Sequence, residues 1–408
     1  MKIAVLPSSY LPTVGGRQVF AYNISRRLAS AGHDVQVHVP VKSYNRLQPQ
    51  FRELCVPLPR YFYGLIVRLP HLGLFRVRRY LRRKQRQENY DAWLVVATYP
   101  SGYAAGCLKG TVPIVLRASG DDIQKSPELD YGLRLDRSNE AAIRWTVRSF
   151  DKVVAMTEAA REDFRDLGVS DESIVSIPNG VDLEWFSRDR DVADIRSELG
   201  WPNDREVILT TGRNHPKKGF GLIPSIAEKL RKRGFSFRWY VVGMGTDALD
   251  QEIQSRRLGE YVVTVNQVGL GTSSDGELRF PDRGLVMMYQ AADVYAFPTL
   301  LENFAMVLLE AMAAGAAFVS TDAPGCGELV KNGENGLLAR AGDVDDFALQ
   351  LERVLVEPEL RTTLARNAHE FVQTYSWENV ASQYEDLFNK LKSTPKEVSQ
   401  PGRGQKKP

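Results

Sequence analysis

No stretch of this 408-residue chain approaches the roughly 20 consecutive apolar residues that a membrane-crossing helix needs. The best uncharged candidate, Ala92 to Leu108, is interrupted by Pro100, Ser101, Gly102 and Gly106. At the amino terminus the apolar core is only Ile3 to Leu6 before Pro7, too short for a secretory leader, so export is not expected. Cysteine is scarce as well. Cys55, Cys107 and Cys326 lie far apart and form no Cys-x-x-Cys pair, which excludes a disulfide framework or structural zinc site and fits a reducing, cytoplasmic compartment. The five histidines have no metal-ligand spacing, and no Ser–His–Asp arrangement emerges. The net charge is only +3, and no nucleic-acid-binding motif accompanies its basic patch. No short internal repeat is evident.

What is present is the composition of a globular protein, 43% hydrophobic and 25% charged, at a length that suits two domains. Short apolar runs alternate with helical patterns, twice over. In the first half "KIAVLPS", "DVQVHVP", "AWLVVAT", "VPIVLRA", "KVVAMT" and "IVSIPNG" read as strands. After the first of them, "GGRQVFAYNISRRLASAG" reads as a helix with Val19, Tyr22, Leu28 and Ala29 on its inner face. In the second half "EVILTTG", "FRWYVVG", "YVVTVNQVG", "DVYAFPT" and "AAFVSTD" read as strands, with "GFGLIPSIAEKLRKRG" and "LVMMYQAA" as helices between them. Continuous apolar strands joined by helices imply parallel sheets covered on both faces. The expected fold class is therefore α/β, with two doubly wound domains. Their bounds are expected at 1–185 and 204–375, with a charged linker at 186–203, a terminal helix at 376–392 and a disordered tail at 393–408.

One segment is unusually basic: "FRVRRYLRRKQR" holds Arg76, Arg78, Arg79, Arg82, Arg83, Lys84 and Arg86, just after the apolar "YFYGLIVRLPHLGLF". Residues 61–86 suit an anionic membrane surface, with a solvated basic helix as the alternative.

Ligands of open parallel sheets bind at the carboxyl ends of the strands, so the loops after strands carry the chemistry. After the first strand, Gly15 and Gly16 in "PTVGGRQVF" precede a helix and let backbone amides approach a bound group. In "GRNHPKKGF", Arg213 and Lys218 sit beside Gly212 and Gly219; two cations at a helix start suit a diphosphate. A basic surface loop is the alternative, above all for Lys217. "VVGMG" at 241–245 offers Gly243 and Gly245 without the third glycine of a dinucleotide fingerprint, so no nicotinamide cofactor is indicated. In "TLLENFAMVLLEAMAAG" a helix is expected to start near Asn303 or Phe304. Glu310 then stands inside an apolar run, where a carboxylate needs a partner, a ligand or a route to solvent. "DVD" at Asp343 to Asp345 is better explained by helix capping than by metal binding.

The glycine loop, "SIPNGVD", "GR…KKG", "VVGMG" and Glu-x7-Glu, in this order over nearly the whole chain, resemble a retaining glycosyltransferase of family 4 with the two-domain GT-B fold. The resemblance implies an acceptor-side first domain, a nucleotide-sugar-binding second domain and a last helix returning to the first. It implies that Arg213 and Lys218 bind the donor diphosphate and that Glu310 accepts hydrogen bonds from the donor ribose. Glu302 would contact the transferred sugar and, with Arg213 and Lys218, serve catalysis. Gly243, Asn303 and the amides of Phe304, Ala305 and Met306 would line the donor, and Gly15 and Gly16 would bring the first domain to its phosphate. Many members carry His-Gly-x-Asp where this chain has "SGDD", so Ser119, Gly120 and Asp122 stand on the acceptor and sugar side, without an imidazole. "ENFA" stands where "EGFG" is common; Ala305 matters only if that position needs positive φ. The implied activity is hexose transfer from a nucleotide-diphosphate sugar to a glycan or lipid-linked saccharide, for cell-surface polysaccharide or glycolipid synthesis. No metal or cofactor beyond the donor is expected, and no nucleic acid. The expected location is cytoplasmic, with the basic segment able to meet the inner face of the plasma membrane. A sugar-nucleotide 2-epimerase of the same fold, or a nucleotide-sugar binder without turnover, are the rival expectations.

Overall fold

The computed structural model describes residues 1–49, 52–60, 62–68, 70–188, 190–266, 271–272 and 278–393. The first sheet joins β1 (Lys2–Pro7), β2 (Asp34–Pro40), β3 (Cys55–Leu58), β4 (Ala92–Val96), β5 (Ile114–Arg117), β6 (Lys152–Ala155) and β7 (Ile174–Ser176). All pairings are parallel, in the order β3-β2-β1-β4-β5-β6-β7. Alternation divides its apolar side chains between two faces. Ile3, Val5, Leu94 and Val96 point toward one core; Ala4, Leu6, Trp93 and Val95 point toward the other.

The second sheet contains β8 (Glu206–Thr211), β9 (Phe237–Val242) and β10 (Val262–Val265). A small antiparallel pair, β11 (Gly271–Thr272) and β12 (Leu278–Arg279), stands apart. The sheet is completed by β13 (Val294–Ala296), β14 (Ala317–Thr321) and β15 (Leu337–Ala339), in the parallel order β10-β9-β8-β13-β14-β15. The strand order therefore reverses between β1 and β4 in one domain and between β8 and β13 in the other. Such switch points leave a crevice at the carboxyl ends of the strands.

Several expectations need correction. Residues 186–203 are not a linker: they include the helix Val192–Leu199, and Phe186, Ile195 and Trp201 lie in the second domain's core. Edge strands β3 and β15 were not foreseen, because "CVPL" carries a proline and "LLA" is too short to show a pattern. The helix Met306–Ala313 starts later than Asn303 or Phe304, with Ala305 as its N-cap at φ −82°. Alanine is therefore unstrained where a glycine is common. Of the expected strand "YVVTVNQVG", residues 267–269 lie outside the described residues, as does 394–408 of the expected tail; Ser393 itself ends a helix.

That last helix, Trp377–Ser393, crosses back to pack on Gly16–Ser30, with the Phe20 ring 6.2 Å from Trp377 and 5.6 Å from Tyr384. The two strands of chain joining the domains touch at Gly180, where a Cβ would come within 2.7 Å of the Trp377 indole.

Candidate functional site

The loops after β8 and β13 meet at the second domain's switch point. Gly212 (φ +134°) and Gly243 (φ +143°) sit back to back, and a Cβ on Gly243 would fall 2.0 Å from the Gly212 carbonyl oxygen. His215 caps the short turn Pro216–Lys218, its Nδ1 accepting from the Lys217 amide at 3.3 Å. Burial, then Arg213 and the lysines, hold the imidazole pKa below its ordinary value. The Lys217 carbonyl accepts from Thr299 Oγ1 at 2.9 Å and from the Leu300 amide at 2.7 Å, which fastens the two loops together.

This packing turns both lysines toward Glu302. Lys218 Nζ is hydrogen-bonded to Glu302 Oε1, and Lys217 Nζ lies 3.5 Å from Oε2. Glu302 is 4% exposed, so burial alone would raise its pKa; the two ammonium groups outweigh that and hold it below its ordinary value. Lys217 is itself buried, and its pKa is lowered by that burial against the pull of Glu302. The alternative that Lys217 belongs to a basic surface loop is thus incorrect. Arg213 is exposed and makes no ion pair among the described residues. With Lys217 and Lys218 on one carboxylate and Arg213 on the same loop, the loop carries excess positive charge, suited to a phosphate-bearing ligand.

Glu310 has a protein partner: the Tyr289 hydroxyl donates to Oε2 at 2.7 Å, and Thr211 links Tyr289 to Tyr295 behind it. Burial pushes the Glu310 pKa up to about 7, against the lowering effect of Tyr289 and Lys218. A carboxyl so poised gains from any further hydroxyl donor.

The first domain closes over this loop pair. Gly15 is extended (φ 179°), a conformation open to any residue, while a Cβ on Gly16 would lie 3.6 Å from Met306 Sδ of the second domain. Arg17 is ion-paired with Asp121. Ser119 caps the short helix Gly120–Ile123, and its hydroxyl accepts from Arg117 at 3.3 Å. Asp122 is fully buried and takes the amides of Thr98 and Ser119, both at 2.6 Å; its carboxylate braces backbone and does not face the crevice. Across the seam, Gln124 Nε2 donates to the Glu302 carbonyl at 2.8 Å, Thr157 Oγ1 to the Asn303 carbonyl at 3.0 Å, and Lys217 Nζ to the Tyr131 hydroxyl at 3.3 Å.

Two family models divide the chain between them: Glycosyltransferase Family 4 matches residues 14–185 and Glycosyl transferases group 1 matches residues 191–371. The chain belongs to the family 4 glycosyltransferases. The D-inositol 3-phosphate glycosyltransferase of Saccharomonospora viridis is 32% identical over 249 residues, covering 59% of this chain and 56% of that protein. The chain thus spans little more than half the length of that relative. The phosphatidyl-myo-inositol mannosyltransferase of Mycolicibacterium smegmatis is 25% identical over 94% of this chain and 92% of its own. HepE of Anabaena, solved with UDP and glucose, matches with a TM-score of 0.74 at 19% identity, over 96% of this chain and 100% of the other. It has the same two-sheet GT-B architecture.

The contacts bring together Gly16 with Met306, Lys218 with Glu302, and Gly120 with Asn303. The Met306 amide is spent on the Phe304 carbonyl at 3.0 Å. Lys217, Arg17, Asp121, Gln124, Tyr131 and Tyr289 also reach the site and had no signal in the sequence. Each is placed by a contact between segments distant in sequence. Asp343 accepts the amides of Asp345 and Asp346, both at 3.0 Å, at the start of Val344–Val356. No group of three His, Cys, Asp or Glu side chains suited to a metal ion occurs among the described residues.

Proposed function

We propose that this glycosyltransferase transfers a hexose, with retention of configuration, from a nucleoside-diphosphate sugar to a glycan or lipid-linked saccharide. The observation that carries this reading is the buried Glu302 held between Lys217 and Lys218 at the switch point, with the first domain's Gln124 bonded to its carbonyl and Gly120 against the neighbouring Asn303. HepE, solved with UDP and glucose, supports a uridine nucleotide as the first donor to try. The two named relatives, acting on inositol phosphate and phosphatidylinositol, support an acceptor carrying a polyol or lipid.

In the reaction the bond from the sugar's anomeric carbon to the diphosphate oxygen breaks, and its electron pair leaves with the diphosphate. Arg213 and Lys218 stabilise that growing charge; one such donor can be worth about 3 kcal/mol. Lys218 is then drawn from Glu302 toward phosphate, and Lys217 remains to keep the carboxylate charged beside the cationic sugar. The acceptor hydroxyl attacks from the leaving-group face and its proton passes to the donor phosphate. Glu310 receives the ribose hydroxyls. These cations serve in place of a metal ion.

The acceptor reading extends to a surface. On the helix Pro70–Glu88, Gly73, Val77, Leu81 and Gln85 face inward; Leu72, Phe75, Arg76, Arg79, Arg82, Arg83 and Arg86 face outward. Phe75 is 64% exposed. Apolar residues beside an arginine stripe fit the headgroup region of an anionic bilayer, and no helix among the described residues is long and apolar enough to cross one.

Incubation of the purified protein with a panel of radiolabelled nucleotide sugars and a membrane extract tests the reading. Transfer yields labelled glycan or lipid and free nucleoside diphosphate. A changed sugar still on its nucleotide would instead indicate epimerisation, and an unaltered pool with raised Tm would indicate a binder.

A further inference from the structure

Beside Glu302 lie buried side-chain polar atoms that have no hydrogen-bond partner among the described residues. Asn303 is 5% exposed, and neither its Oδ1 nor its Nδ2 has a hydrogen-bond partner among the described residues. Gln124, 3% exposed, anchors the Glu302 carbonyl through Nε2 yet leaves Oε1 unpartnered. Buried amide groups left unmet are destabilising and rare, so each needs a reason. These two come from different domains and both lie against Gly120. A Cβ on Gly120 would lie 2.8 Å from Gln124 Oε1, 2.9 Å from the Tyr131 hydroxyl and 3.1 Å from Asn303 Cβ. Gly120 has no left-handed φ, so it is this close approach that a side chain there would obstruct. The Tyr131 oxygen accepts from Lys217, which leaves its own proton to donate.

We propose that Gln124, Tyr131 and Asn303 form a subsite for two neighbouring hydroxyls of a sugar. The subsite presents two acceptors, Gln124 Oε1 and Asn303 Oδ1, together with the donors Asn303 Nδ2 and Tyr131 O–H. A hydroxyl pair both donates and accepts, and so satisfies all of them. A phosphate or carboxylate ligand has no proton for the two acceptors, and an apolar group meets none. Entry requires the seam to part, since the Gln124–Glu302 and Thr157–Asn303 hydrogen bonds lie across it. The inference rests on the transferase reading only for the source of the diol, the transferred sugar or the acceptor saccharide.

The test uses the whole protein with UDP-glucose, or whichever nucleotide sugar the panel selects, and analogues lacking one hydroxyl at a time. A parallel arm uses acceptors lacking single hydroxyls. Wild type is expected to lose about tenfold in kcat/KM when a recognised hydroxyl is removed, the worth of one hydrogen bond. In Asn303→Leu and in Tyr131→Phe that penalty should shrink to about twofold or less, because the protein's side of the bond is gone. Ligand-free Asn303→Leu should also melt higher than wild type, as an unmet amide is replaced by a similar apolar shape. The arm that shows the shrinkage identifies the source. An undiminished penalty in both active variants would overturn the subsite. The same comparison read as ligand-induced Tm shift needs no turnover. A hydroxyl-dependent shift without transfer would therefore sink the transferase reading and keep the subsite.

Discussion

At the scale of single residues, the site is governed by how a buried carboxylate finds its counterions. Glu302 has two, one on each oxygen, and each lysine can partly cover for the other. Lys218→Ala should stop turnover, yet should cost only about 2 kcal/mol of stability, less than the loss of a sole partner. Lys217→Met should cost about the same. The double variant should lose clearly more than the sum, since it leaves Glu302 buried and bare; urea denaturation of the four proteins measures this, and simple additivity would mean that the lysines act independently. Glu310 behaves differently. Its pKa of about 7 in the folded protein lies above its ordinary 4.5, so between these values the folded state holds a proton that the unfolded chain has lost. Stability therefore falls as pH rises through this window and stays reduced above it. Glu310→Gln cannot ionise and escapes the loss. Its Tm should match wild type near pH 4, exceed it increasingly up to about pH 7, and hold that lead at pH 8, while nucleotide affinity drops; a Tm difference independent of pH would refute the assignment.

At the scale of elements, the strands were readable because a parallel strand buried on both faces is a continuous apolar run. "KIAVLP" and "EVILTT" could hardly be anything else. The edges β3 and β15 and the helix Val192–Leu199 escaped because short or charged segments declare themselves only through what they pack against. In the same way Lys218 and Glu302 were legible from spacing within their loops, whereas Lys217, Gln124 and Tyr131 are defined by partners 86 to 178 positions away, beyond any local period. The turn that aims the lysines does depend on one readable residue. Gly219 has φ +67°, and a Cβ there would sit 1.8 Å from the Pro298 carbonyl oxygen. Gly219→Ala should cost about 2–4 kcal/mol and displace both lysines from Glu302, with loss of nucleotide affinity. Gly221, two positions on, has nothing within 4 Å of such a Cβ and no left-handed φ. Gly221→Ala should be close to neutral. Comparison of the two Tm values checks whether the turn, and not glycine content, holds the loop.

At the scale of the whole molecule, the terminal helix completes the first domain's core while its chain follows the second, so the crevice is framed by a closed circuit of chain. The outward stripe of Pro70–Glu88 belongs to this first domain and defines how it would meet a surface. Composition alone put Arg78 among the membrane-facing cations, but its guanidinium lies 5.4 Å from the Tyr103 ring centroid and 4.9 Å from that of Trp145, and it donates to the Tyr103 carbonyl at 3.0 Å. Arg78 is thus occupied in holding the helix to its own domain. If the stripe binds lipid, charge reversal at Arg76, Arg79 and Arg83 should abolish sedimentation with vesicles of anionic lipid at low salt, since each cation contributes about 1 kcal/mol near such a surface. Phe75→Ser should weaken binding at all salt concentrations, because buried apolar area is not screened. Arg78→Ala should instead lower Tm with little change in sedimentation at a temperature where the protein stays folded. The three variants therefore separate the parts of one helix: equal loss of sedimentation in all three would point to unfolding of the helix, and full retention in the charge-reversed protein would remove the membrane from its acceptor chemistry.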